Sequence, residues 1–344
     1  MIKTMRKCYQ PRSRNSRRSA MFAGAFAAIA ALSPLTGHAQ EAVLTKVSFA
    51  GSVTWLGMVP VMVALEKGFY KEAGLDLDYR VVLNSSDRIR AITAGDISFS
   101  NVGSVAVLTD MSRGNESFSI FANVDDSPGN EGCWARPDFA SVAALKGKTI
   151  ASNSSAEITM HGVLAASGMS VKDIKYINLS PNELAPALNR GDIDAACIWE
   201  PLLSGLKAAV PNGHLIGMDT DTPMYKKFGT MSAPDVMIMS RQVINKTPKV
   251  ATAIATATFK GADFARDNPE EAAKLVAKYF RKTPEEILPG IKGFKYFGFA
   301  GWPDHMKKYQ GQFQELANWL HDNKKIDNAP TVERWVNTGF IPKP

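Results

Sequence analysis

The sequence predicts an α/β protein built as two similar lobes, and three observations predict it. A phrase occurs twice: Arg90-Ala91-Ile92-Thr93-Ala94-Gly95-Asp96-Ile97-Ser98-Phe99 is echoed by Ala187-Leu188-Asn189-Arg190-Gly191-Asp192-Ile193-Asp194-Ala195-Ala196, with the glycines 96 residues apart (191 − 95). Each copy reads as the end of an amphipathic helix, a Gly-Asp turn and a short apolar strand, the glycine taking the left-handed conformation that a side chain resists. Strand-length apolar segments alternate with helical ones on both sides of this echo, which argues for parallel, helix-covered sheets. Two short polar stretches, 125–130 and 230–234, read as crossovers by which the chain leaves the first lobe and returns.

In chain order, Leu44 to Ala50 reads as a strand, Met58 to Gly68 as a helix and Leu75 to Leu83 as a second strand. Ser85-Ser86-Asp87 opens the helix that ends at Gly95, Ser and Asp being favoured caps. Phe99 leads into the strand-to-helix turn Asn101-Val102-Gly103-Ser104, and Phe118 to Val124 is a further strand. Beyond the first crossover come a strand at Lys148 to Ser152, a helix opened by Asn153-Ser154-Ser155, a strand at Ile174 to Asn178, a helix from Pro181 to Arg190 and a strand from Asp194 to Trp199. Pro201 suits the first turn of the next helix, where its missing N–H is no loss. Asp235 to Ser240 reads as a strand back in the first lobe, and from Pro248 the pattern is helical. The expected division is 40–128 with 235–344 for lobe 1, and 129–234 for lobe 2.

Residues 1–39 read as a cleavable export signal: seven bases and no acid, then the apolar stretch Ala20 to Ser33, then small residues up to Ala39. Ser16-Arg17-Arg18 leaves a twin-arginine route open beside general secretion. The segment accounts for the net charge of +7, because without its seven bases 33 basic residues face 33 acidic ones. The basic balance therefore gives no reason to invoke nucleic acid. Of the three cysteines, Cys8 leaves with the signal. Cys133 and Cys197 read as strand residues of one lobe; we take them as two buried thiols, with a disulfide as the alternative.

Ligands of open α/β sheets bind at the carboxyl ends of strands, near helix N-termini that favour anions. Four segments have that character: Ser85-Ser86-Asp87, Asn101 to Ser104, Asn153 to Ala156, and Trp199 to Pro201. Their serines are either ligand donors or plain caps. Acids near strand ends form a second set, Glu131, Glu200 and Asp235, able to meet an ammonium group or to serve as turn and helix-start charges. Trp55 and Trp199 could wall such a site or simply pack. Histidines are scattered, no metal-ligand spacing occurs, and neither a nucleophile elbow nor a phosphate loop is present. The expectation is a binding protein, not an enzyme, without cofactor or metal.

These residues carry a likeness. Arg90 to Asp96 with Asn101-Val102-Gly103-Ser104, then Gly191 to Asp194 leading to Trp199-Glu200-Pro201, then Asp235 before its apolar strand, resemble the periplasmic solute-binding proteins of nitrate/sulfonate/taurine ABC importers, most closely the taurine-binding branch. Leu288-Pro289-Gly290-Ile291-Lys292-Gly293 adds to the likeness, which spans nearly all of residues 44–340. It implies a type II periplasmic-binding fold, two α/β lobes joined by two crossovers that close on a small solute. It implies a monomer that delivers the solute to an inner-membrane permease. It places Ser86, Gly103, Ser104, Ser154 and Ser155 at a sulfonate, Asp235 and then Glu131 at an ammonium, and Trp199 as a wall. Taurine or a related aminosulfonate is the expected ligand. The aromatic loop around Trp55 and the acid Glu200 depart from that branch, and support as alternative a bulkier amine, betaine-like or aromatic solute. An enzyme like the pyrimidine-precursor synthases, on the same fold, is the competing class.

Overall fold

The structure is a computed structural model that describes residues 43–343; the expected export signal lies outside the described residues. In chain order the elements are β1 (Thr45–Gly51), α1 (Val59–Glu66), α2 (Phe69–Glu72), β2 (Leu75–Val81), α3 (Ser85–Ala94), β3 (Phe99–Gly103), α4 (Ser104–Ser112) and β4 (Phe118–Ala122). There follow β5 (Asp125–Asp126), β6 (Glu131–Ala135), β7 (Thr149–Ser152), α5 (Glu157–Ala166), β8 (Lys175–Asn178), α6 (Pro181–Arg190), β9 (Ala195–Trp199), α7 (Leu202–Ala209), β10 (His214–Met218) and α8 (Pro223–Phe228). The chain ends with β11 (Asp235–Ser240), α9 (Arg241–Lys246), α10 (Pro248–Asp267), α11 (Pro269–Phe280), α12 (Pro284–Gly293), β12 (Lys295–Tyr296) and α13 (Trp302–Asp322).

Two five-stranded sheets organise the described residues, in the orders β2-β1-β3-β11-β4 and β8-β7-β9-β6-β10. The two orders superpose strand for strand. In each, three strands run parallel and are joined by helices. The fourth enters from a crossover and runs antiparallel, β11 against β3 and β6 against β9. The expected parallel, helix-covered strands are present, and the return strands run antiparallel beside them: a strand that arrives from the other lobe enters at the opposite end of its sheet and needs no helical crossover.

The echoed phrase is the common joint. Gly95 and Gly191 both sit at positive φ, 87° and 83°. The amide after each donates back across the helix end, Asp96 N to Ala91 O (2.9 Å) and Asp192 N to Ala187 O (3.0 Å), the same glycine-terminated cap twice. Both sheets are covered on both faces. The first is embedded in a large core that includes Phe49, Phe99, Phe118, Phe121, Ile254 and Phe259. The second lies between two smaller ones, with Ile150 on one side and Ala151 on the other. Consecutive strand residues face opposite ways, so β7 alternates between them.

Cys133 and Cys197 are bonded, correcting the expectation of free thiols. They stand directly opposite one another on β6 and β9 with Cα atoms 4.0 Å apart, a pairing invisible until the two strands are known to be neighbours. Two segments link the lobes. The first includes β5, paired with β12, and the second is held by α13, whose Gln312 Nε2 donates to Met231 O (2.6 Å).

Candidate functional site

Asp235 and Glu131 occupy the same place in the two lobes. Each is the first residue of the return strand, Asp235 opposite Gly103 at the end of β3 and Glu131 opposite Trp199 at the end of β9. Directly opposed residues of an antiparallel pair share a face. The strand ends face each other across the lobes, and Trp55 meets Trp199 there edge-on, with ring centroids 6.4 Å apart. Phe294 packs on the other side of Trp55 at 5.0 Å and stacks on Tyr296.

The first lobe supplies most of the polar lining. Asn101 is fully buried on β3; its Nδ2 donates to Gly57 O (3.1 Å) and Asp125 Oδ1 (3.5 Å). Its Oδ1, Asp125 Oδ2, Ser104 Oγ and the indole nitrogens of Trp55 and Trp199 are buried without a hydrogen-bond partner. Buried polar atoms are ordinarily paired, so a cluster of unpaired ones marks a place prepared for something else. Gly57 is glycine for want of room: a Cβ there would collide with Trp55 Nε1 and stand 2.6 Å from Asp125 Oδ2. Asp235 lies beside the start of α4, its Oδ1 3.5 Å from where a Cβ on Gly103 would stand, an ordinary contact distance.

Charge in this region is unbalanced. Burial pushes Asp125 far above the usual carboxylate range, with repulsion from Asp235 and Asp126 adding to it. Burial raises Glu131 to about 8, with Asp219 pushing the same way and the Thr159 hydroxyl, which donates to Glu131 Oε2, opposing it. Asp235 keeps some exposed surface, yet its carboxyl lies among enough protein atoms to be raised as well, and Arg88 pulls it back. Asp219 rises to about 7 through burial, although it accepts from Gly129 N (2.8 Å). Arg88 is itself buried; its guanidinium donates to Val82 O, Leu83 O and Ser85 Oγ, and Ser85 Oγ also accepts from Gly103 N (3.1 Å).

Of the residues expected at the site, Trp55, Asn101, Gly103, Ser104 and Asp235 gather on the first lobe and Glu131 and Trp199 face them from the second. Ser86 is half-buried just inside α3, but the cap is Asn84, whose Oδ1 accepts from Ser86 N (2.8 Å). Ser154 and Ser155 are exposed, and Asn153 caps that turn. Glu200 turns to its own helix, accepting from Ser204 N (3.0 Å) and pairing with Lys207. The sequence reading missed Arg88, Asp125, Phe294 and Tyr296. One signal could have found Arg88: with Ser85, Ile89 and Ile92 it falls on the inward stripe of α3 at helical spacing.

Comparison with known proteins fits this architecture. A binding protein of Brucella abortus (strain 2308), whose name carries no ligand, is 28% identical over 235 residues, covering 68% of this chain and 71% of its own. The taurine-binding periplasmic protein of Escherichia coli (strain K12) is 26% identical over 240 residues, 66% of this chain and 71% of its own. The solved structure of the periplasmic aliphatic sulphonate binding protein SsuA from Escherichia coli superposes with a TM-score of 0.68 at 16% identity, over 85% of this chain and 97% of that one, which establishes the periplasmic-binding-protein fold. The family described as NMT1/THI5 like matches residues 55–272, and the chain belongs to that family.

Proposed function

We propose that this chain is the solute-binding component of an ABC importer, exported to the periplasm, where it closes on a small amine-bearing organic solute and presents it, unaltered, to a membrane permease. The observation that carries the reading is the facing pair of return-strand acids, Asp235 and Glu131, with the Trp55–Trp199 contact between the lobes. An ammonium group set between carboxylates and aromatic faces gains charge-assisted hydrogen bonds and cation–π attraction, each of about 1–3 kcal/mol. Micromolar affinity requires about −8 kcal/mol, within reach of a few such contacts after the cost of ordering. Closure is the hinge motion by which the two lobes bury the solute, and the two linking segments are where it turns.

Taurine satisfies the amine requirement and is the ligand in a relative's name, so it belongs in the test panel beside other amines. Thermal unfolding of protein refolded to strip bound solute, against taurine, alkanesulfonates, betaine, choline and aromatic amines, tests the reading. A true ligand at about 100 times its Kd adds about 2.7 kcal/mol, and Asp235→Ala removes the shift. Silence across the panel, together with an unchanged radius of gyration, would contradict it.

A further inference from the structure

The cleft holds more carboxyl groups than the protein itself matches with cations. Three carboxylates approach it from separate elements: Asp235 from β11, Glu131 from β6 and Asp125 from the first linking segment. Asp235 has Arg88 for company. Around Glu131 and Asp125 the charged groups are other acids: Asp219 and Asp235 near the first, Asp235 and Asp126 near the second. Lys295 acts on Asp126, further out. Arg88 ties both terminal nitrogens to Val82 O, Leu83 O and Ser85 Oγ, which leaves its buried Nε as the guanidinium nitrogen without a partner.

Carboxylates taken out of water without a counter-charge are costly, and proteins keep them so where a partner is to arrive. Two further observations point at that partner. Asn101, fully buried, leaves its Oδ1 without a donor, as does Asp125 Oδ2, while its Nδ2 lies 3.5 Å from Asp125 Oδ1. Trp55, Trp199, Phe294 and Tyr296 supply aromatic surface, which attracts cations. The unpaired indole N–H groups suit a neutral oxygen or ring nitrogen, and Arg88, with only its Nε unpaired, offers an anion a narrow seat.

We infer that the solute carries a net positive charge: a cationic amine on an aromatic or methylated frame, with no anionic group to cancel it. This rests on the reading of the cleft as a solute site, and it departs from a zwitterion such as taurine.

Calorimetry on matched pairs that differ in an anionic end decides the matter: choline against betaine, tyramine against tyrosine, ethanolamine against taurine. The expected result is a cation bound about tenfold tighter or more in every pair that binds, a ratio that converts to roughly 1.4 kcal/mol. Asp125→Asn and Glu131→Gln, both isosteric and both relieving repulsion, should fold normally by circular dichroism and shrink that ratio toward one. A zwitterion that binds more tightly than its cationic twin overturns the inference, as does a ratio indifferent to both substitutions. If none of the pairs binds, millimolar tetramethylammonium and methanesulfonate serve as charge probes. The cation should raise the unfolding midpoint and the anion should not; no rise, or the reverse, overturns the inference. Cation binding without compaction in small-angle scattering upholds the charge inference and removes lobe closure instead, so the two readings fail separately.

Discussion

The two lobes carry the same antiparallel two-strand ladder at the cleft, β11 with β3 and β6 with β9, and use it differently. In the first, Asp235 faces Gly103 and, two steps in, Met237 faces Asn101; in the second, Glu131 faces Trp199 and Cys133 faces Cys197. One lobe spends the inner rung on an amide that holds Asp125, the other on a covalent staple. One leaves the outer rung open with a glycine, the other fills it with an aromatic wall. One gives its acid a buried arginine, the other only a hydroxyl. The repeat supplies a scaffold, and the chemistry is written at equivalent rungs in different residues.

The largest break in that comparison comes from the staple. Replacing Cys133 and Cys197 with alanine should lower stability by about 2–5 kcal/mol by denaturant unfolding. If the disulfide instead contributes nothing, the second lobe's small cores suffice alone. Next, Gly57→Ala should weaken solute binding about a hundredfold by calorimetry, since the new methyl group drives into Trp55 and Asp125. Normal affinity there would show that this corner lies outside the site.

The two acids should then respond unequally. Asp235→Asn deprives buried Arg88 of its carboxylate and should cost about 1–3 kcal/mol in urea. Glu131→Gln removes an uncompensated acid and should be neutral or stabilising. The unliganded protein should also lose stability with rising pH. Glu131 goes from 4.5 in the unfolded chain to about 8 when folded, so its contribution is complete below about pH 4.5 and gone by about pH 8. Asp219, raised to about 7, works in the same direction. A series of thermal midpoints between those pH values should slope downward and flatten in Glu131→Gln; an upward slope would contradict the assignment. The smallest effect is expected from Trp199→Ala, about tenfold in affinity with little change in stability, because the ring is only half-buried.

Much of the scaffold was legible because it depends on local signals. Gly95 and Gly191 announce helix ends through backbone conformation alone, and Asp235 before Val236-Met237-Ile238-Met239 announces a buried strand. The sequence reads as a helix from Pro181 to Arg190, and α6 spans those residues, opened by a capping box of Ser180 and Glu183. What stayed hidden depends on long-range neighbours. Asp125 looks like any turn acid until Asn101 is beside it. Arg88 looks like a surface charge until α3 is rotated onto β11. Cys133 and Cys197 are 64 residues apart and become partners only through strand order. Ser154, Ser155 and Glu200 read as site residues because helix starts resemble one another, and only exposure and capping partners tell them apart.

The central claim, that a cation completes the charge of the cleft, has a direct test. Binding enthalpies of the tightest cationic ligand, measured at pH 7 in buffers of different ionisation enthalpy, give the number of protons exchanged. A cation that settles among carboxylates held protonated by burial must drive protons off, so net release is predicted, reduced in Glu131→Gln. No proton exchange, or net uptake, would contradict the account.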